Sequence, residues 1–171
     1  MRHLYFIRHG LSVTNELGVY SGQTETPLSE TGREQSRQAG EILKKLGIDT
    51  IASSPLSRAL ETAEIIADVL SYPKDKIYVS KLLTERELGV LEGQPYEVGL
   101  ADDDKIKGIE LSVDLFARAK NALQWLDSLD GETILVVSHG AVGRAIRHSI
   151  PGGYKFEDPR KFKNGEVVKL I

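Results

Sequence analysis

Short apolar runs of strand type alternate along this chain with longer stretches of helical period, and no other feature restricts its fold as much. Residues 4–7 are apolar, too short for a helix and followed by Gly10, so residues 2–8 are expected to form a strand buried on both faces. Residues 11–28 keep no period and contain Asn15, Gly18, Ser21, Gly22, Thr26 and Pro27, which predicts a loop folded back over the strand end with one short helical turn. Ser29 reads as an N-cap, and Ala39, Ile42, Leu43 and Leu46 recur at helical spacing until Gly47, giving a helix over about 30–46. A second strand over 48–52 leads through Ser53-Ser54-Pro55 to a helix that begins near Ser57, with Leu60, Ala63, Ile66, Ala67 and Leu70 on one face.

The second half repeats the pattern. Residues 76–79 suit a third strand, and 82–96 form an irregular loop carrying Glu85, Gly89, Glu92 and Gly93. Residues 96–111 are polar, and their run Asp102-Asp103-Asp104 beside Lys105 and Lys107 reads as a solvated loop or helix end. Ser112 is placed to cap an amphipathic helix through Val113, Phe116, Ala119, Leu123, Leu126 and Leu129, ended by Asp130-Gly131, with Trp125 at its margin. Residues 133–137 are a β-branched strand running into Ser138-His139-Gly140. A helix over about 141–149, a turn at Pro151-Gly152-Gly153 and a last strand over 166–171 complete the chain. Such an order implies an α/β fold: a three-layer α/β/α sandwich with a mostly parallel central sheet. No fixed repeat or linker divides the chain, so residues 1–171 are expected to form one domain.

Composition removes several classes of function. Without cysteine there is no disulfide, thiolate nucleophile or cysteine-ligated zinc. A formal net charge of −3 gives no reason to expect nucleic acid or an anionic membrane as partner, so any anion site must be local. Arg8 and His9 interrupt the first apolar run, which is unlike a signal peptide, and no stretch approaches the roughly 18 apolar residues of a membrane span; a cytoplasmic location is expected.

Ligands of open α/β sheets bind beyond the carboxyl ends of the strands. Arg8, His9 and His139 all fall at such ends, Arg58 lies in the first turn of a helix that follows one, and Glu85 lies in a loop after another. One pocket can therefore collect two histidines, two arginines and a carboxylate. Arginine forks match phosphate oxygens, and a helix N-terminus offers unpaired N–H groups to the same anion, so the ligand these residues suit is a phosphoryl group.

The chain resembles the histidine phosphatase superfamily, also called phosphoglycerate mutase-like, over essentially its whole length. The resemblance rests on Phe6-Ile7-Arg8-His9-Gly10 with Asn15; Ser21-Gly22 with Pro27-Leu28-Ser29 and Gly32; Ser53-Ser54-Pro55-Leu56-Ser57-Arg58-Ala59 with Thr62-Ala63; Glu85-Arg86-Glu87-Leu88-Gly89 with Glu92-Gly93; and Val136-Val137-Ser138-His139-Gly140. It implies a phosphoglycerate mutase-like sandwich in which His9 is the nucleophile that becomes a phosphohistidine, and in which Glu85 protonates the leaving group and then activates water. Arg8, Arg58 and His139 would grip the phosphoryl oxygens with Asn15, while Ser21, Gly22 and the Gly140 amide would line the phosphate site. To attack, His9 must be neutral. Arg8 and Arg58 should disfavour its protonated form, and a backbone carbonyl accepting from the other ring nitrogen would set the tautomer.

No metal or other cofactor is expected, because the arginines supply the positive charge and would repel a cation from a site built of His9, His139 and Glu85. The expected partner is a small phosphorylated substrate, with no nucleic acid or membrane and with a monomer or homodimer as the assembly. Mutases of this family are longer and carry a basic segment after the acid loop. Here Ala141 follows Gly140, and residues 94–111 contain Lys105 and Lys107 but no arginine, so a phosphomonoesterase is favoured over a mutase or a protein phosphohistidine or phosphoserine phosphatase. Leu11, Glu25 and the stretch Gly108-Ile109-Glu110-Leu111-Ser112 depart from the commoner family pattern near the pocket rim, which leaves the substrate open.

Overall fold

A computed structural model describes residues 3–99, 105–152 and 161–171; the acidic run at 102–104 and Gly153 lie outside them. Among the described residues ten α and β elements follow in order: β1 (His3–Arg8), α1 (Val13–Glu16), α2 (Glu30–Leu43), β2 (Thr50–Ser53), α3 (Ser57–Leu70), β3 (Tyr78–Val79), α4 (Ser112–Ser128), β4 (Thr133–Ser138), α5 (Gly140–Ser149) and β5 (Val167–Lys169). Short 3-10 turns at Lys74–Lys76, Lys81–Leu83, Gly89–Leu91 and Tyr96–Val98 punctuate the connections on either side of β3.

The sheet has the order β3-β2-β4-β1-β5, in which only β5 runs antiparallel, to β1. Its strands are apolar on both faces because side chains alternate across a strand and both faces are covered. Leu4, Phe6, Ala52, Ile134 and Val136 point to the side packed by α4 and α5, where they meet Leu115, Ala119, Leu126, Val142 and Ile146. Ile7, Ile51, Leu135 and Val137 point the other way, onto Ala39 and Leu43 of α2 and Ala59, Ala63 and Ile66 of α3. The result is the α/β/α sandwich that the alternation implies. Trp125 is partly buried against the first of these cores, as expected of a margin residue. Close approach of α5 to the sheet depends on Gly143, where a Cβ would stand 2.3 Å from Phe6 Cζ.

Several boundaries differ from the sequence reading. Apolar periodicity outlasts α2, which ends at Leu43; Leu46 still packs on the core from a closing turn in which Gly47 has φ +65°. The second strand is shifted from 48–52 to 50–53; just before it, the Asp49 amide donates to Thr133 O at 3.1 Å while its carboxylate accepts from the amides of Glu132 and Thr133. The third strand shrinks to two exposed edge residues, and the last to 167–169. Ser112 is the first residue of α4; the capping position is Leu111, which gives no side-chain cap. Ser29 does cap α2, accepting from the Gly32 amide at 3.2 Å.

Register brings the catalytic candidates level. β1 and β4 are adjacent and parallel with Arg8 opposite Ser138, and the His9 amide extends the ladder by donating to Ser138 O at 2.9 Å. On the far side of β4, Ser53 lies opposite Val137, and the Ser54 amide donates to Val137 O at 3.1 Å. Residues 9, 54 and 139 therefore leave three neighbouring strands at one edge of the sheet.

Candidate active site

His9 is buried directly beyond β1, and its two ring nitrogens have different surroundings. Nδ1 lies 2.7 Å from the Gly10 carbonyl, which can only accept, so Nδ1 carries the proton. Nε2 receives the Arg58 Nε–H at 3.3 Å and must present a lone pair. Burial holds the imidazole well below its usual titration range, and the cations of Arg58 and then Arg8 push the same way, against a smaller raising effect of the Gly10 hydrogen bond. The ring is thus neutral at neutral pH. Gly10 itself must be glycine, since a Cβ would lie 2.2 Å from the Gly32 carbonyl in the first turn of α2. Its amide donates to the Thr62 hydroxyl at 3.1 Å, which ties the nucleophile loop to α3.

Arg58 is the second residue of α3 and is 1% exposed. Its guanidinium donates to the carbonyls of Gly22 at 2.7 Å and Thr24 at 3.0 Å as well as to His9. Burial lowers its affinity for the proton, while Glu85 and Glu25 oppose that effect. Glu25 also serves the exposed helix start that Leu56 does not cap, accepting from the Ser57 amide at 2.9 Å. Arg8 donates from one terminal nitrogen to Phe162 O at 3.0 Å, and its Nε is buried without a partner among the described residues.

His139 sits at the N-cap of α5 with its ring inclined 62° to that of His9, the centroids 5.1 Å apart. Burial, then Arg58, His9 and Arg8, hold it well below the usual histidine range. Its Nε2 lies 2.8 Å from Ser54 Oγ, and its Nδ1 is buried without a partner among the described residues. Glu85 reaches the same helix end, accepting from the amides of Ala141 at 3.1 Å and Val142 at 3.2 Å as well as from the Arg86 amide at 2.9 Å. Four N–H groups at a helix start lack helical acceptors, and a carboxylate there is favoured by the helix dipole. Gly140 leaves the space between these groups open: a Cβ there would be 3.7 Å from Arg8 Nε and 3.8 Å from Glu85 Oε2. The loop behind Glu85 is held by Arg118, which grips Glu110 through two nitrogens at 2.7 and 2.6 Å and also donates to Thr84 O at 2.7 Å.

His9, Arg8, Arg58, His139, Glu85 and Gly140 thus converge. The three remaining sequence candidates, Asn15, Ser21 and Gly22, lie in the segment that follows His9 and have hydrogen-bond partners of their own. Asn15 spends its amide on Tyr96 Oη at 3.0 Å and its oxygen on the Ser12 amide and Asn164. Ser21 is hydrogen-bonded to Thr14, and the Gly22 carbonyl accepts from Arg58. Conversely, Asn164 has no periodic or motif signal around it, yet its side chain donates to His9 O at 3.0 Å and to Asn15 at 3.2 Å. Ser54 and Thr62 stand inside recognisable motifs, but only the packed arrangement reveals what their hydroxyls touch. Among the described residues no three or more His, Cys, Asp or Glu side chains converge as a metal site requires, and no helix is long and apolar enough to cross a membrane.

The family model of the histidine phosphatase superfamily (branch 1) matches residues 4–170. Over 156 residues, 90% of this chain and 79% of its relative, the sequence is 33% identical to the uncharacterized phosphatase PhoE of Bacillus subtilis. It is also 32% identical to the probable phosphoglycerate mutase GpmB of an Enterobacter species, over 99% of this chain and 85% of that one. Among solved structures, the mycobacterial glucosyl-3-phosphoglycerate phosphatase complexed with VO3 superposes with a TM-score of 0.84 at 25% identity, covering 99% of this chain and 92% of the other.

Proposed function

From the premise that this chain belongs to the histidine phosphatase superfamily (branch 1), we propose that it hydrolyses small phosphomonoesters through a phosphohistidine on His9. The observation that carries this reading is the division of labour on one neutral ring: Nδ1–H is committed to Gly10 O, and the Nε2 lone pair faces the arginine side of the site. Nε2 attacks phosphorus in line with the ester oxygen, and the P–O bond to the leaving group breaks as the P–N bond forms. Glu85 delivers its proton to the departing alkoxide. Arg8, Arg58 and His139 hold the non-bridging oxygens and balance the charge that develops on them. The buried Arg8 Nε and His139 Nδ1, both lacking protein partners, are suited to that contact.

In the second half, water attacks the phosphohistidine, Glu85 takes its proton, and the P–N bonding pair returns to Nε2. Positioning and fixed positive charge supply most of what phosphoryl transfer requires, so the chain's own residues suffice for every step written here. Relatives named phosphatases favour hydrolysis. Similarity to GpmB keeps transfer to a second substrate hydroxyl as the other reading, yet residues 94–99 and 105–111 offer only Lys105 and Lys107, both exposed, to hold a substrate carboxylate.

Release of inorganic phosphate from an aryl phosphate and from a panel of sugar phosphates and phosphoglycerates, with a chelator present, tests the proposal. The expected result is chelator-insensitive release that His9→Ala abolishes. A chelator-sensitive activity refutes the mechanism, and phosphoglycerate interconversion without net phosphate release replaces the hydrolase by the mutase.

A further inference from the structure

Ser54 leaves β2 level with His139, held there by its amide on Val137 O. Both residues are 0% exposed, so every proton between them has to be placed. The Ser54 oxygen has two neighbours among the described residues: His139 Nε2 at 2.8 Å and the Leu56 amide, which donates to it at 3.2 Å. A hydroxyl has one proton to give and two lone pairs. Burial and the nearby arginines keep the imidazole neutral, so the ring carries one N–H.

Two arrangements follow. If Nε2 holds the ring proton, Ser54 accepts from both His139 and Leu56, its own buried proton has no acceptor, and His139 Nδ1 turns a lone pair toward any phosphoryl oxygen in the site. If Ser54 instead donates to Nε2 while accepting from Leu56, its hydroxyl is fully used and the ring proton lies on Nδ1, the nitrogen without a protein partner. The first arrangement leaves two buried groups unsatisfied, the Ser54 hydroxyl proton and the Nδ1 lone pair; the second leaves one, the Nδ1–H, which is free for a phosphoryl oxygen, and each unsatisfied buried polar group is expensive.

We infer that Ser54 is a positioning residue: by donating to His139 Nε2 it keeps the ring proton on Nδ1 and so makes His139 a hydrogen-bond donor to the phosphoryl group. The inference rests on the phosphoryl-binding reading of the site. It is the same device as the carbonyl on His9 Nδ1, applied to the opposite nitrogen for the opposite purpose. His9 exposes a lone pair, and His139 exposes a proton.

Nitrogen-15 NMR of histidine-labelled protein, without ligand and with vanadate, tests it. The chain has four histidines, and His139→Gln assigns the resonance in question. Wild type is expected to show the Nδ1–H tautomer. Ser54→Ala should move the ring proton wholly or partly to Nε2 and lower kcat by about 10- to 100-fold, the usual effect of losing a group that orients a catalytic histidine or one fixed donor; Ser54→Thr, which keeps the hydroxyl, should restore both. Nε2–H in wild type, a tautomer unchanged in Ser54→Ala, or a moved tautomer with unchanged kcat each overturns the inference. If Ser54→Ala does not fold, the wild-type spectrum alone still decides. Because the spectrum needs no turnover, an inactive wild type would refute the proposed function without touching the tautomer result.

Discussion

Acidification from about pH 7.5 to about 5.5 should cost this fold roughly 3 kcal/mol through His9 and His139 alone. Unfolded histidine titrates near 6.5, whereas both folded rings are held well below that value by burial and by the cations of Arg58 and Arg8. The folded pKa is depressed, so the stability these groups contribute is complete above about 6.5 and is lost as pH falls from there toward the folded values. A histidine that takes up no proton in the folded state costs RT ln(1 + 10^(6.5 − pH)), which sets a limit of roughly 1 to 2 kcal/mol for each ring at pH 5.5 and roughly 3 for the two. Urea unfolding at both pH values, with equal m, gives the difference directly. Variants His9→Asn and His139→Asn should each lose about half of the pH effect, and the double variant nearly all. A pH effect in the double variant as large as in wild type would refute the neutral-histidine reasoning, and with it the lone pair at His9 Nε2.

Two further outcomes are expected. Glu85→Gln should keep its contacts with the Ala141 and Val142 amides through the remaining carbonyl but lose the proton. Turnover of an alkyl phosphate should fall about 10²- to 10⁴-fold, while an activated aryl phosphate, whose leaving group needs no acid, should give a rapid burst and then stall. A phosphorylation step slowed equally on both substrates, with no burst from the aryl phosphate, would remove Glu85 from the role of proton donor to the leaving group. In the core, Gly143→Ala places a methyl 2.3 Å from Phe6 Cζ, and the Phe162 ring, its centroid 4.6 Å from that of Phe6, limits any retreat. Urea titration should show about 1–3 kcal/mol of destabilisation.

What was legible in the chain is what local pattern encodes. Ser29 caps α2 as its position in the sequence implies, and the matching ends Arg8-His9-Gly10 and Ser138-His139-Gly140 lie side by side because β1 and β4 pair in register. Boundaries moved where side-chain contacts that carry no periodic signal flank an element, as the Asp49 carboxylate on the Glu132 and Thr133 amides does before β2. Asn15, Ser21 and Gly22 fall in a stretch without period, where composition says little about which way a group turns; Gly22 proves to turn its carbonyl to Arg58. Asn164 was out of reach for another reason. It meets the His9 carbonyl across 155 positions of chain, and only the antiparallel return of β5 beside β1 creates that contact.

The most direct measurement is of the covalent intermediate. Wild-type protein and Glu85→Gln, mixed with an activated aryl phosphate and quenched in base, should each carry at most one phosphoryl group, stable to base and lost in acid. Glu85→Gln should hold it longer, peptide mapping should place it on His9, and His9→Asn should carry none. Turnover with no phosphorylated protein under these conditions, or a phosphoryl group on any residue but His9, would contradict the assignment of His9 as the nucleophile.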